Sequence, residues 1–268
     1  MNAPLDSAAP APFVRSATAP DGICTLTLAR GDRFNPLSTG MLAALDAALD
    51  GVAVDPAARV VVIAAEGRAF CAGHDLVEMR AHIDEAWQRE LFAACTRVML
   101  KLTRIPQPVI ARVHGVAAAA GCQLVSMCDL AVAADNVKFG LSGINAGIFC
   151  STPAVGVARN VARKRALEML FTGDLIDAPT ALAWGLVNRV VPAADLDAAV
   201  ATLAQAIARK SPAAVALGKR AFYAQVEQGL EGAYDTAGTA MTCNMLDSDA
   251  AEGIDAFLGK RAPNWRDR

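Results

Sequence analysis

Short β-branched and aliphatic runs recur along the chain: ICTLTLA (23–29), RVVVIAA (59–65), PVIARV (108–113), LAVAA (130–134) and VNRVV (187–191). Between most of them the apolar positions repeat at three and four, which predicts helices. One such stretch is STGMLAALDAALDGV (38–52), with Ser38 placed to cap it; another is IDEAWQRELFAACTRVMLKL (83–102). Strands alternating with helices predict an α/β fold with crossover connections. From Asp195 the strand pattern stops, and DLDAAVATLAQAIARK, PAAVALGKRAFYAQVEQ and a last stretch to about Lys260 read as helices. The organisation expected is a disordered tail over 1–14, an α/β core over 15–194 and a helical region over 195–268, without internal repeats.

Composition sharpens this picture. The chain has 268 residues, 54% hydrophobic and 19% charged, enough to fill a large core and leave apolar surface that favours self-association. A net charge of −2 gives no electrostatic footprint for nucleic acid or an anionic membrane. The densest basic cluster, Arg163-Lys164-Arg165, reads as a solvated helix face before it reads as a phosphate contact. Seven cysteines (24, 71, 95, 122, 128, 150 and 243) show neither Cys-x-x-Cys nor mixed Cys/His spacing. That excludes a disulfide framework, gives no metal site and implies reduced thiols. The opening MNAPLDSAAPAPF has no basic segment followed by an apolar one, and its Ala/Pro/Ser content reads as disordered. The most apolar run, from Gly115 to Cys128, is too short to span a bilayer and carries Gln123 and Ser126. The expected compartment is therefore the cytoplasm.

Two stretches share a design. GRAFCAGHDL (67–76) follows the run 59–65, and HGVAAAAGCQL (114–124) follows 108–113 and leads into a helix ending near Cys128. Small residues let a ligand approach the backbone, and the first N–H groups of a helix lack internal partners at the positive end of its dipole. Two such turns could each give one donor to the same carbonyl oxygen. On spacing alone, close helix–strand packing is the reading the alanines favour.

GRAFCAGHDLVEM, PVIARVHGVAAAAGCQL and CDLAVAADNVKFG, in that order, resemble the crotonase (enoyl-CoA hydratase/isomerase) superfamily. RGDRFNPLS (30–38), ALEMLFTGDLIDAPTALAWGLVNRVV (166–191) and FLGKR (257–261) extend the likeness over about residues 20–262. The resemblance implies a ClpP-like spiral of ββα units whose helical C-terminal part trimerises, giving a homotrimer or a hexamer of paired trimers. It implies an acyl-CoA thioester as partner, as in fatty-acid metabolism, with coenzyme A as part of the substrate and no separate cofactor. Residue by residue, Ala72 and Ala120 match the two backbone amides of the oxyanion hole. Arg33, Phe34, His74, Asp75 and Leu76 match the positions that contact the coenzyme; the forked donors of Arg33 suit a phosphate.

The resemblance breaks at the proton-transfer groups. Family hydratases use two glutamates; the positions that match them are Gln123, three residues past Ala120, and Gly143, three past Gly140. Glutamine has no usable proton near neutrality and glycine has no side chain, while such groups each contribute about 10²–10⁴ in rate. The pattern AAAAGCQL, GIFCSTP (147–153) and RKRALEMLFTG (163–173) is similar to one branch of the superfamily that also lacks the pair. Nominal enoyl-CoA hydration is thus expected to be weak. Isomerisation, decarboxylation, thioester hydrolysis, or acyl-CoA binding without turnover remain open. Cys150, Ser142, Asn145 and Glu78 are the replacements to inspect. Cys150 reads foremost as a buried thiol, Ser142 and Asn145 as loop residues, and Glu78 as a helix-capping or solvated carboxylate.

Overall fold

A computed structural model describes residues 11–266. Its first half alternates strands and helices: β1 (Val14–Thr18), β2 (Ile23–Leu28), α1 (Thr39–Ala53), β3 (Val60–Ala65), β4 (Ala69–Cys71), α2 (Leu76–Ala81), α3 (Glu85–Arg104), β5 (Val109–Val113), β6 (Val116–Ala118) and α4 (Ala120–Met127). There follow β7 (Leu130–Ala134), β8 (Lys138–Gly140), α5 (Ser151–Asn160), α6 (Arg163–Thr172), β9 (Ile176–Asp177), α7 (Ala178–Trp184) and β10 (Arg189–Val191). The chain ends in α8 (Leu196–Ala208), α9 (Pro212–Gln225), α10 (Leu230–Met245) and α11 (Ser248–Leu258).

Six strands form the main sheet, β1-β2-β3-β5-β7-β10, parallel except for the β1–β2 pair. β3 is buried at every residue, as a parallel strand covered on both faces must be, which explains its unbroken run of Val, Ile and Ala. The short strands make a second sheet, β4-β6-β8-β9. Three strands of the main sheet each lead to a strand of the second sheet before the next helix: β3-β4-α2, β5-β6-α4 and β7-β8-α5. This is the crotonase spiral of ββα units. The strand-to-helix connections expected from the sequence contain these extra strands of three residues, too short to leave a period-two pattern.

Ser38 caps α1 by accepting from Met41 N at 3.2 Å, as its position predicted. Phe13 and Val14, grouped above with the disordered tail, are in place instead. The Arg30 guanidinium lies 4.0 Å over the Phe13 ring, Ala29 N donates to Phe13 O at 2.8 Å, and Val14 opens β1. Pro and Ala upstream carried the tail assignment, while the aromatic ring has an apolar seat against Gly40. Of the rest of that tail, Ala11 and Pro12 accept from the Arg30 guanidinium, and 1–10 lie outside the described residues, as do 267–268.

The helix α9 docks on the core through a buried ion cluster. Lys219 on α9 places its ammonium 2.7 Å from Asp129 Oδ2, 2.7 Å from Leu102 O and 2.8 Å from Gln107 O. Asp129 also accepts from Tyr223 Oη at 2.8 Å and from Val109 N at 2.6 Å. Burial lowers the Lys219 pKa against the pull of Asp129, and it raises that of Tyr223. Farther out the packing ends: Leu230, Tyr234, Met241, Leu246 and Phe257 on and after α10 and α11 are exposed. Among the described residues no helix is long and apolar enough to cross a membrane.

Candidate functional site

The two small-residue turns meet. Gly121 on the first turn of α4 has no room for a side chain, because a Cβ there would lie 2.1 Å from Cys71 O at the end of β4. Gly73, at φ +99°, sits so close to the second turn that a Cβ on it would be 3.3 Å from Ala120 N. Ala119 takes φ 48°, an uncommon conformation for alanine, and its N–H donates to Gly140 O at 2.8 Å. That anchor turns the chain into α4 and leaves Ala120, fully buried, at the helix start with its amide unspent.

The first turn is assembled differently from the sequence expectation. Ala72 N donates to Phe34 O at 3.0 Å, so the amide assigned above to the oxyanion hole is already used. The next amide, that of Gly73, lies against the Cys71 thiol. Among the described residues the first N–H of this turn without an acceptor belongs to His74. The amide left over on this turn is thus two residues further along the chain than Ala72. The cause is tertiary: the segment 30–37 lays a carbonyl against Ala72, held there by Asn35. That asparagine is fully buried at φ 51°; its side chain accepts from Arg30 N at 2.9 Å and donates to Glu66 O at 2.8 Å and Ala69 O at 3.0 Å. Asn35 was not singled out from the sequence, although an Asn between an arginine-rich turn and Pro36 is a residue type tolerant of positive φ.

His74 also carries an informative side chain. Its Nδ1 lies 3.0 Å from Leu37 O, and a carbonyl can only accept, so Nδ1 holds the proton and Nε2 is bare. The ring meets Phe92 of α3 edge to face, with centroids 5.6 Å apart. Nε2 is buried and has no hydrogen-bond partner. Burial lowers the His74 pKa, outweighing its contact with Leu37 O and the nearby Glu78, so the ring is neutral at physiological pH.

Neither glutamate position offers a carboxylate. Gln123 is 5% exposed and its Oε1 receives the Cys95 thiol of α3 at 3.9 Å. Burial pushes the Cys95 thiol up to about 12, so it stays protonated and can donate. Gly143 is sealed as well as bare. A Cβ there would lie 2.6 Å from Ile148 O and 2.8 Å from Cys150 Sγ, because the loop 147–150 folds back over it and Ile148 N donates to Gly143 O at 3.0 Å. Cys150 is itself buried and its pKa is raised by that burial, partly offset by the Gly143 N–H; it is a packed thiol and no activated nucleophile. Glu78 is turned away from the pocket. Its carboxylate accepts from Thr39 N at 2.9 Å and from the Thr39 hydroxyl, capping α1. Asn145 donates to Gly173 O at 3.4 Å.

On the rim, Arg33 and Phe34 are exposed, and the guanidinium of Arg68 lies 5.3 Å over the Phe34 ring. Arg68 was missed in the sequence because only the turn of 30–35 against 66–69 brings it beside Arg33's segment. Asp75 and Leu76 open α2: Asp75 caps it, accepting from Val77 N and Glu78 N at 3.0 and 3.1 Å, and Leu76 is exposed. The Asp75 carboxylate is thus committed to the helix. Arg163, Lys164 and Arg165 do form an exposed helix face, with Arg165 stacked over Trp184 at 4.9 Å.

A spiral of ββα units followed by C-terminal helices defines the crotonase class. The chain belongs to that family: the enoyl-CoA hydratase/isomerase pattern matches residues 18–268. It is 45% identical over 254 residues to "Enoyl-CoA hydratase domain-containing protein 3, mitochondrial" of Homo sapiens, covering 95% of this chain and 84% of that protein. The crystal structure of that human protein matches with a TM-score of 0.92 at 44% identity, over 94% of this chain and all of the other. An enoyl-CoA hydratase from Mycobacterium smegmatis matches with a TM-score of 0.94 at 54% identity, over 95% and 99% of the two chains. The branch resemblance noted in AAAAGCQL and GIFCSTP therefore holds. The cytoplasmic expectation does not: the rat, mouse and human relatives are all named mitochondrial. Unpaired thiols separate secreted chains from reduced compartments but do not tell one reduced compartment from another.

Proposed function

We propose that this crotonase-family, enoyl-CoA hydratase-like protein holds an acyl-CoA thioester with its carbonyl between the His74 and Ala120 amides, and adds water to an enoyl-CoA far more slowly than a hydratase. The observation that carries this reading is the sealed second glutamate position, where Ile148 O and Cys150 Sγ occupy the space a carboxylate would need. Two preorganised amides stabilise an enolate-like oxyanion; losing one such donor elsewhere costs about 10²–10³ in rate. With Gln123 in place of one carboxylate and Gly143 in place of the other, the chain supports polarisation of the carbonyl without delivery of a proton. Arg33, Arg68 and Phe34 provide a basic, aromatic rim suited to the phosphates and base of the coenzyme. No cofactor besides that coenzyme enters the reading. The exposed apolar residues of α10 and α11 suit the face of a homotrimer or a dimer of trimers, which light scattering on the purified protein would resolve.

The test compares crotonyl-CoA hydration with crotonyl-CoA binding. Binding in the micromolar range with hydration at least about 10³-fold below a two-glutamate enzyme is the expected result. Ordinary hydratase turnover would overturn the reading and restore the nominal activity carried by the names of the relatives. Turnover of another thioester in an isomerase, decarboxylase or hydrolase assay would keep the polarised carbonyl and replace the binding-only conclusion.

A further inference from the structure

We infer that Gln123 sets the acyl specificity of the site, and that its side-chain Nε2 donates a hydrogen bond to an oxygen on the third carbon of the acyl group, as in a 3-oxoacyl thioester. The inference rests on the thioester reading above, since it takes the carbonyl to lie at the Ala120 amide.

Helix geometry places the side chain. The helix α4 begins at Ala120, and Gln123 lies three residues along, on the same face. Every Cα–Cβ bond of a helix tilts toward its N-terminus, so the Gln123 side chain leans back over the first turn. That is the end at which the Ala120 amide stands unspent. An acyl chain whose carbonyl is held there has its third carbon two bonds away, within reach of a side chain rooted one turn along.

Helix α3 orients the amide. Burial keeps the Cys95 thiol protonated, so it is the donor at 3.9 Å and the Gln123 atom that receives it is Oε1. The two N–H bonds of Nε2 then point away from the thiol, and among the described residues they meet no acceptor. Gln123 is 5% exposed where its neighbours Cys122 and Leu124 are fully buried, and its Nε2 is not closed off as the imidazole Nε2 of His74 is. A donor more than nine-tenths buried, unpartnered and still open carries a cost that a bound acceptor removes. Nε2 has no lone pair to offer, so it pairs with a carbonyl oxygen and gains nothing from a saturated or plain enoyl chain. A site built to bond a polar group on its ligand discriminates against the analogue that lacks it.

The experiment is calorimetric titration with acetoacetyl-CoA and butyryl-CoA of the native protein, Gln123→Met and Gln123→Glu. Methionine keeps an unbranched chain of similar length without the donor; glutamate keeps the shape and puts an acceptor in the donor's place. The ratio of the two affinities is the readout, so a uniform loss from a disturbed fold does not move it, and thermal unfolding checks that each variant folds. The native protein should favour acetoacetyl-CoA by about fivefold or more, the worth of one hydrogen bond. That preference should fall about fivefold in Gln123→Met, and at least as far in Gln123→Glu, where two acceptors face each other. Native affinities within about twofold of each other, as when a water already serves Nε2, overturn the inference and leave the thioester reading intact. So does a preference retained within about twofold in either variant. Failure of both thioesters to bind the native protein overturns the thioester reading and this inference with it.

Discussion

The closure over Gly143 can be tested by adding one methyl group. In Gly143→Ala the new Cβ would meet Ile148 O at 2.6 Å and Cys150 Sγ at 2.8 Å. The first contact is with backbone, and that backbone is tied down, since Ile148 N donates to Gly143 O at 3.0 Å and Gly147 N to Ile144 O at 3.0 Å. Relief therefore needs the whole loop 147–150 to move, and overpacking of this kind costs about 1–3 kcal/mol. For a chain of this size that corresponds to a fall in Tm of roughly 2–10 °C. Differential scanning calorimetry of the native protein, Gly143→Ala, Cys150→Ala and the double variant gives the measurement. Removing the thiol should recover only part of the loss in the double variant, because the Ile148 carbonyl remains. If Gly143→Ala melts within about 1 °C of the native protein, the loop is not closed over the position, and the argument against a second carboxylate fails. The same geometry makes a Gln123→Glu, Gly143→Glu variant a poor route to restored hydration: it must first open the loop. Gln123→Glu alone should keep the fold.

Three further outcomes are expected. Lys219→Met leaves Asp129 buried beside Val109 and Tyr223 without its cation, and should destabilise the protein by about 3–5 kcal/mol in urea unfolding; a loss under about 1 kcal/mol would mean the cluster is hydrated. Because burial lowers the His74 pKa, the unfolded state binds the extra proton first as pH falls below 6.5. Native stability relative to His74→Asn should therefore decline from pH 7 towards pH 5, by at most about 1.4 kcal/mol per pH unit; a flat difference across that range would show the ring titrating normally. Gly121→Ala forces a Cβ to 2.1 Å from Cys71 O and should push the two turns apart, lowering thioester affinity at least about tenfold along with Tm. Unchanged affinity would separate the amide pair from ligand binding.

Much of the fold is local and was legible along the chain. Every β-branched run of the sequence became a strand of the main sheet, and the central β3, β5 and β7, covered on both faces, leave nearly unbroken apolar stretches. Ser38 and the three-four spacing announced α1, and the end of the strand pattern at Asp195 marked the start of the helical third. The short strands β4, β6 and β8 escaped, since three residues carry no readable period and owe their conformation to pairing with one another. Likewise the family resemblance matched Gln123 and Gly143 to the carboxylate positions, a matter of residue identity alone.

What the sequence could not decide is which backbone groups are left over. Whether the amide of Ala72 is left free depends on the Phe34 carbonyl, which reaches it because Asn35 braces a turn against residues 66 and 69. The sealing of Gly143 depends on where Ile148 O and Cys150 Sγ come to rest, and the bare face of His74 depends on Leu37 O across the chain. Residue types and their spacing set the elements and name the missing acids, because those follow from side-chain chemistry and local periodicity. Free donors, closed space and a fixed tautomer are properties of contacts between segments distant in the chain, and only the packed structure determines them.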